Sequence, residues 1–138
     1  MAGEALAQGR ALAKFREWIA AQGGDPRIAD DASLLPSSAR TREVRATTAG
    51  WVARFDAEEV GRAAMVLGAG RAHVGDSIDP SAGLVLAVRV GDRVEEGSAV
   101  CTLYAASEES LDLGEERFRR ALHLTDREVI LPPLFHEL

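Results

Sequence analysis

The chain of 138 residues has one cysteine, one lysine, five prolines and few aromatic side chains, only 5% of the total. Each shortage closes off a class of function. A lone Cys101 cannot form an internal disulfide, and its apolar, strand-like neighbourhood reads as that of a small buried hydrophobe rather than a reactive thiol. With Lys14 the single lysine, no lysine is left in the remainder of the chain to carry a covalently attached group. Clustered positive charge is also missing: the formal net charge is −6, which disfavours a nucleic-acid partner, because neutralising phosphates takes basic residues. No apolar run approaches the ~20 residues of a membrane span. No basic start followed by an apolar core marks an export signal, so a cytoplasmic location away from membranes is expected. His73, His123 and His136 lie far apart, and none has the short ligand spacing of a zinc site, so neither metal nor cofactor is expected. No serine has the strand-turn-helix glycine setting of a hydrolase nucleophile. What remains is a chain with 46% hydrophobic side chains, enough to bury one core.

The most structured stretch is residues 88–103. Val88, Val90, Val94 and Val100 are β-branched strand formers placed around a Gly91-Asp92 turn, and Gly97 resets the chain before the last run. Gly91 can take the positive φ of a tight hairpin turn without steric cost. Strands are expected at 42–47, 51–55, 84–90, 93–95 and 99–105, with short edge strands at 122–124 and 129–131 before Pro132-Pro133 stops regular pairing. Alternation in these strands places Val52, Val85, Val88, Val94, Val100 and Leu103 in the core.

Helices are expected in three places. Residues 5–22 are alanine-rich, with Leu12, Phe15 and Ile19 on one face, and end at Gly23-Gly24. Residues 56–67 begin with Asp56 as cap and Glu59 three residues on, as in a capping box; Val60, Ala63, Ala64 and Leu67 share a face and Gly68 follows as a left-handed C-cap. Ser107 opens the third, with Glu108 and Glu109 at its start and Arg117, Arg119 and Arg120 at its end, both favourable to the helix dipole. Residues 27–40, with Pro36, Ser37 and Ser38, read as a linker holding one helical turn at 28–32. The order of elements predicts an α+β fold: a strongly bent, mostly antiparallel sheet of α/β-hammerhead or barrel-sandwich type with flanking helices.

Two resemblances attach to these residues. Thr48-Ala49-Gly50-Trp51-Val52 and the 88–103 stretch resemble the two halves of biotinyl/lipoyl-type domains, but that family carries its cofactor on a lysine between the halves, where this chain has none. An interaction module without a carrier lysine is the alternative reading. The fuller resemblance is to the C-terminal domain of pyrimidine-nucleoside and thymidine phosphorylases. It rests on an ordered set: Lys14-Phe15 through Gly23-Gly24-Asp25, Gly50-Trp51-Val52, Ala64-Met65 followed by Gly68-Ala69-Gly70-Arg71, Asp76-Ser77-Ile78-Asp79, and Val90-Gly91-Asp92-Arg93-Val94-Glu95-Glu96-Gly97. The resemblance covers nearly the whole chain. It implies residues 1–26 as the helix leading out of a catalytic lobe, 27–40 as linker and 41–138 as the C-terminal domain.

The same resemblance implies a glycosyl transfer of pyrimidine salvage, in which phosphate attacks a pyrimidine nucleoside to release free base and pentose 1-phosphate. Phosphate and nucleoside would be held by the full-length enzyme, since the family's phosphate loop and base-binding side chains belong to domains this sequence lacks. A full member is roughly three times longer and homodimeric, with its dimer contacts mainly in the absent helical domain. The isolated chain is therefore expected to be catalytically silent, with the remaining domains of its own enzyme as partners. Its own task would be to buttress the phosphate-binding lobe and assist closure.

One segment is a candidate site. Gly68, Gly70, Arg71 and His73 open a long, glycine-bearing loop over 68–82. One reading is a helix C-cap and turn, with Asp76 and Asp79 making local turn bonds; phosphate-binding glycine loops normally precede a helix, whereas this one follows it. The family resemblance supports the other: a mobile loop that brings Arg71 and His73 near substrate when the lobes close, without doing chemistry. Asp92 and the Glu95-Glu96 pair read as turn and solvated-edge residues.

Overall fold

The structure, a computed structural model, describes residues 2–71 and 73–131. It divides into two compact units, 1–37 and 38–138.

In the first unit the expected single helix is two: α1 (Ala2–Ala7) and α2 (Arg10–Ala21). Gly9, at φ 72°, breaks the run in a conformation that side-chain-bearing residues avoid. α2 ends as predicted, with Gly23 left-handed and the Gly24 N–H returning to Ile19 O at 3.0 Å. Two 3₁₀ turns replace the expected turn at 28–32. Pro26–Ala29 is capped by Asp25, which accepts from Arg27 N, and Ala32–Leu34 by Asp31, which accepts from Ser33 N. Arg16 Nε ties α2 to this segment through Asp30 Oδ2 at 3.0 Å. Among the described residues of this unit only Ile19 is buried, while Leu12, Phe15 and Trp18 remain exposed.

The second unit is α+β and antiparallel as expected, in two three-stranded sheets that do not close. β1 (Arg40–Arg45), β5 (Ala99–Ala105) and β3 (Gly83–Leu86) form one sheet in the order β1-β5-β3. β4 (Arg93–Val94), β2 (Gly50–Phe55) and β6 (Leu122–Thr125) form the other in the order β4-β2-β6. Register shifts at Val44/Arg45 and Val52/Arg54 add the local bend that bulges give.

The Gly91-Asp92 turn has the predicted positive φ, 92° at Gly91, but it closes no hairpin. Strand β3 stops at Leu86, and β3 and β4 belong to different sheets. The turn instead docks on β2, through Gly91 N to Val52 O and Val52 N to Asp92 O, both 2.8 Å. Residues 129–131 form no strand; the prediction for Pro132-Pro133 lies outside the described residues.

α3 (Ala57–Ala64) packs chiefly on α4 (Glu108–Ala121). Asp56 Oδ1 accepts from Glu58 N and Glu59 N, yet only half of the capping box forms: the Glu59 carboxylate turns to Arg62 and Arg117, and Asp56 N donates to Ala121 O. Ser107 caps α4, whose Leu111, Gly114, Phe118 and Ala121 form its buried stripe. The core joins Leu111 and Phe118 to Val44, Val52, Leu67, Val94, Val100, Cys101 and Leu103. Each large apolar side chain buried there contributes about 1.5–3 kcal/mol. Val88 is partly buried, and Val85 departs from expectation at 58% exposed. It lies between Leu84 and Leu86 on a strand, so when Leu84 faces the core Val85 must face away.

Candidate functional site

The candidate loop grows directly out of α3. Past Ala64 the helix widens into a single π turn, Met65–Ala69, whose helical conformation is broken at Gly68 with φ 116°. Gly68 meets two demands there, since besides its positive φ a Cβ on it would stand 3.3 Å from Ala82 Cβ. That close approach brings the two ends of the loop together. Asp79 N donates to Gly68 O at 3.0 Å and Ala82 N to Asp79 O at 3.1 Å. The Asp79 carboxylate accepts from the Ser81 hydroxyl at 2.6 Å and from Ser81 N at 2.8 Å. These bonds, the hydroxyl first, hold its pKa below the ordinary aspartate range. The stem of the loop is thus fixed by main-chain bonds.

The tip is different. Among the described residues, hydrogen bonds at the tip run within the loop: Arg71 Nε to Asp76 O at 3.1 Å, His73 N to Asp76 Oδ2 at 2.8 Å and Asp76 N to His73 O at 3.2 Å. His73 Nδ1 lies 3.6 Å from Asp76 Oδ2. Val74 is fully exposed at the apex. Arg71, His73, Val74 and Gly75 line an open depression of about 270 Å³. Among the described residues Arg71 forms no ion pair with a carboxylate, so its guanidinium presents cationic donors to solvent. Gly70 is confined, since a Cβ would lie 3.3 Å from Met65 Cα.

The structure therefore brings Gly68, Gly70, Arg71 and His73 into one loop with a rigid base and an exposed, cation-bearing tip. Such a tip can contact an anion or an acidic surface; it assembles no nucleophile and base. The other aspartates behave as turn formers: Asp92 Oδ2 accepts from Arg89 N at 2.7 Å. His123 sits half-buried on β6 opposite Arg54, and His136 lies outside the described residues. No group of three or more histidine, cysteine or acidic side chains suited to a metal occurs among the described residues. Burial pushes the Cys101 thiol up to about 12, which keeps it protonated and unreactive. No helix among the described residues is long and apolar enough to cross a membrane.

Sequence reasoning missed one electrostatic cluster. Arg42 on β1 reaches Glu108 at 2.6 Å, Asp112 at 2.6 Å and Glu115 at 3.3 Å, and Arg40 reaches Glu108 at 2.8 Å. The signal was present in the spacing of those carboxylates, i, i+4 and i+7 along one helix face. What lay opposite them was not.

Comparison with known proteins shows what the chain is similar to. Residues 51–125 match the family model described as the pyrimidine nucleoside phosphorylase C-terminal domain. The chain is 48% identical over 105 residues to the pyrimidine-nucleoside phosphorylase of Bacillus subtilis, covering 76% of this chain and 24% of that protein. It is 37% identical over 134 residues to that of Geobacillus stearothermophilus, covering 97% of this chain and 31% of the relative. The corresponding Staphylococcus aureus protein is 34% identical over 135 residues. The chain thus spans about a quarter to a third of the length of the relatives it matches.

Proposed function

Because the chain belongs to the pyrimidine nucleoside phosphorylase C-terminal domain family, we propose that it acts as the accessory domain of a longer enzyme that phosphorolyses pyrimidine nucleosides. In that enzyme phosphate attacks the anomeric carbon, and the products are free base and pentose 1-phosphate. This domain contributes no group to bond making. It buttresses the phosphate-binding lobe, and residues 1–26 lead out of that lobe into it.

The loop over 68–82 supplies the second part of the role, which is closure. The observation that carries this reading is the contrast within the loop: a stem pinned at Gly68, Asp79 and Ala82, and an exposed tip whose Arg71 meets no carboxylate among the described residues. A fixed stem lets the tip move as a unit without unravelling the fold. In closure Arg71 meets the opposite lobe, and the sealed cleft excludes water, which protects an oxocarbenium-like centre from hydrolysis. His73 stands beside it without doing chemistry. The full-length enzyme is a homodimer whose dimer contacts lie mainly in its helical domain, outside this one.

Steady-state kinetics on the full-length enzyme test the loop. Arg71→Ala and Gly70→Pro are expected to lower kcat or raise KM for nucleoside and phosphate by about tenfold, the effect of about 1.4 kcal/mol. Unchanged kcat and KM in both variants would reduce the loop to a structural connection.

A further inference from the structure

The two outer strands of the β1-β5-β3 sheet are unlike each other. β1 carries Arg40, Arg42, Glu43 and Arg45, the charged guard that natural edge strands wear against unwanted pairing. β3 reads Gly83-Leu84-Val85-Leu86 and carries no charge, with Val85 58% and Leu86 40% exposed. Among the described residues its one ladder partner is β5. The register shows which groups face out. Ala87 N donates to Val100 O at 3.0 Å, and pairing continues as Val85 opposite Thr102 and Gly83 opposite Tyr104. In an antiparallel ladder hydrogen-bonded and non-hydrogen-bonded pairs alternate, so the backbone groups of Leu84 and Leu86 point away from β5. Each offers one donor and one acceptor to a further strand, four bonds in all.

We propose that this edge is an interaction surface for strand addition. Its occupant is an extended apolar segment from the part of the polypeptide that precedes this region in the full-length enzyme. Size selects that occupant over a second copy of the chain. At about one hydrogen bond per 100–200 Å² of interface, four bonds correspond to about 400–800 Å². That falls short of the roughly 1,200–2,000 Å² of a stable association between separate molecules. A tethered segment avoids most of the entropy of association and works at an effective concentration in the millimolar range. The relatives supply such a tether, since this chain accounts for only 24–31% of their length. The proposal rests on the chain being part of a longer phosphorylase, but not on closure by the 68–82 loop.

Amide hydrogen exchange, resolved by residue, tests it in the 138-residue chain and in the full-length enzyme. The Val85 amide, bonded in the ladder, is the internal reference. The amides of Leu84 and Leu86 are expected to exchange freely in the 138-residue chain at any concentration, and at least 100-fold more slowly in the full-length enzyme. Fast exchange in the full-length enzyme overturns the proposal. Protection already present in the 138-residue chain also overturns it, pointing to a second copy if it grows with concentration and to internal cover if it does not. Leu86→Pro removes one outward donor and leaves the β5 ladder untouched. It should leave the Tm of the 138-residue chain within about 2 °C and lower that of the full-length enzyme by more than twice as much; equal shifts in both speak against the proposal. Nucleoside phosphorolysis by the full-length polypeptide is measured alongside, so that failure of the enzyme reading is told apart from failure of the edge.

Discussion

Gly114 on α4 and Leu67 in the π turn after α3 approach so closely that a Cβ on the glycine would stand 2.6 Å from Leu67 Cδ2 and 2.8 Å from Cγ. A glycine in mid-helix costs about 1 kcal/mol relative to alanine, and here that cost sets the spacing of the two helices. Leu67 is 2% exposed and has no room to turn aside. Gly114→Ala therefore trades a gain of about 1 kcal/mol in helix propensity against overpacking of about 1–3 kcal/mol. With Leu67 held in place the overpacking wins, and a net destabilisation of up to about 2 kcal/mol is expected, read as a lower urea midpoint at unchanged slope. An equal or higher midpoint would mean that the helices separate freely.

The Arg42 cluster makes stability depend on pH in a definite direction. Hydrogen bonds from Arg42, then Arg40, hold the Glu108 carboxyl below its ordinary range. A depressed carboxyl stabilises the fold above its unfolded pKa and stops doing so as pH falls through its folded pKa. Stability should therefore decline as pH drops below about 4.5, the ordinary value for glutamate. Arg42→Gln should be less stable than the parent at pH 7, and the gap between them should narrow as pH falls from 7 to 3. A difference that stays constant between those pH values would show that Arg42 acts through packing alone.

Cys101 provides a probe of the core that needs no mutation. With its side chain buried and its thiol held protonated, it should react with an aromatic disulfide reagent at pH 8 only when the domain opens. The native rate should rise with urea in step with unfolding. Labelling within seconds in the absence of denaturant would place Cys101 at the surface.

The 138-residue chain alone should not convert uridine or thymidine plus phosphate. Phosphorolysis needs preorganised cationic and hydrogen-bonding groups around both phosphate and leaving base, and the exposed tip with Arg71 supplies one cation only. Turnover that survives purification and is lost in Arg71→Ala would assign catalysis to this domain.

Several features were legible in the sequence because their causes are local. Asp56 caps α3, Ser107 caps α4, and Gly68 and Gly91 adopt positive φ, each decided by a side chain or its absence within a few residues. Strand β5 has the bounds its apolar run predicted. The ordered motifs also led to the family. Loop residues Gly68, Gly70, Arg71 and His73 could be singled out, but not the division of that loop into pinned stem and exposed tip. That division depends on Asp79 and Ala82 returning to Gly68.

Capping, turn conformation and strand propensity are written in neighbouring residues, so the sequence by itself determined them, together with the charge balance and the absence of any lysine beyond Lys14. Pairing was decided by the tertiary structure. The Gly91-Asp92 turn looks like a hairpin in isolation, yet its amide bonds Val52 on a strand from elsewhere in the chain. Val85 has the side chain of a core residue, but the partner of β3 and its place at the edge of the sheet turn it to solvent. Glu108, Asp112 and Glu115 share a helix face by spacing, while only the packing of α4 beside β1 sets Arg42 among them. Hydrogen-bond partners on different strands are chosen by which apolar faces can be buried together, and that choice involves residues tens of positions apart.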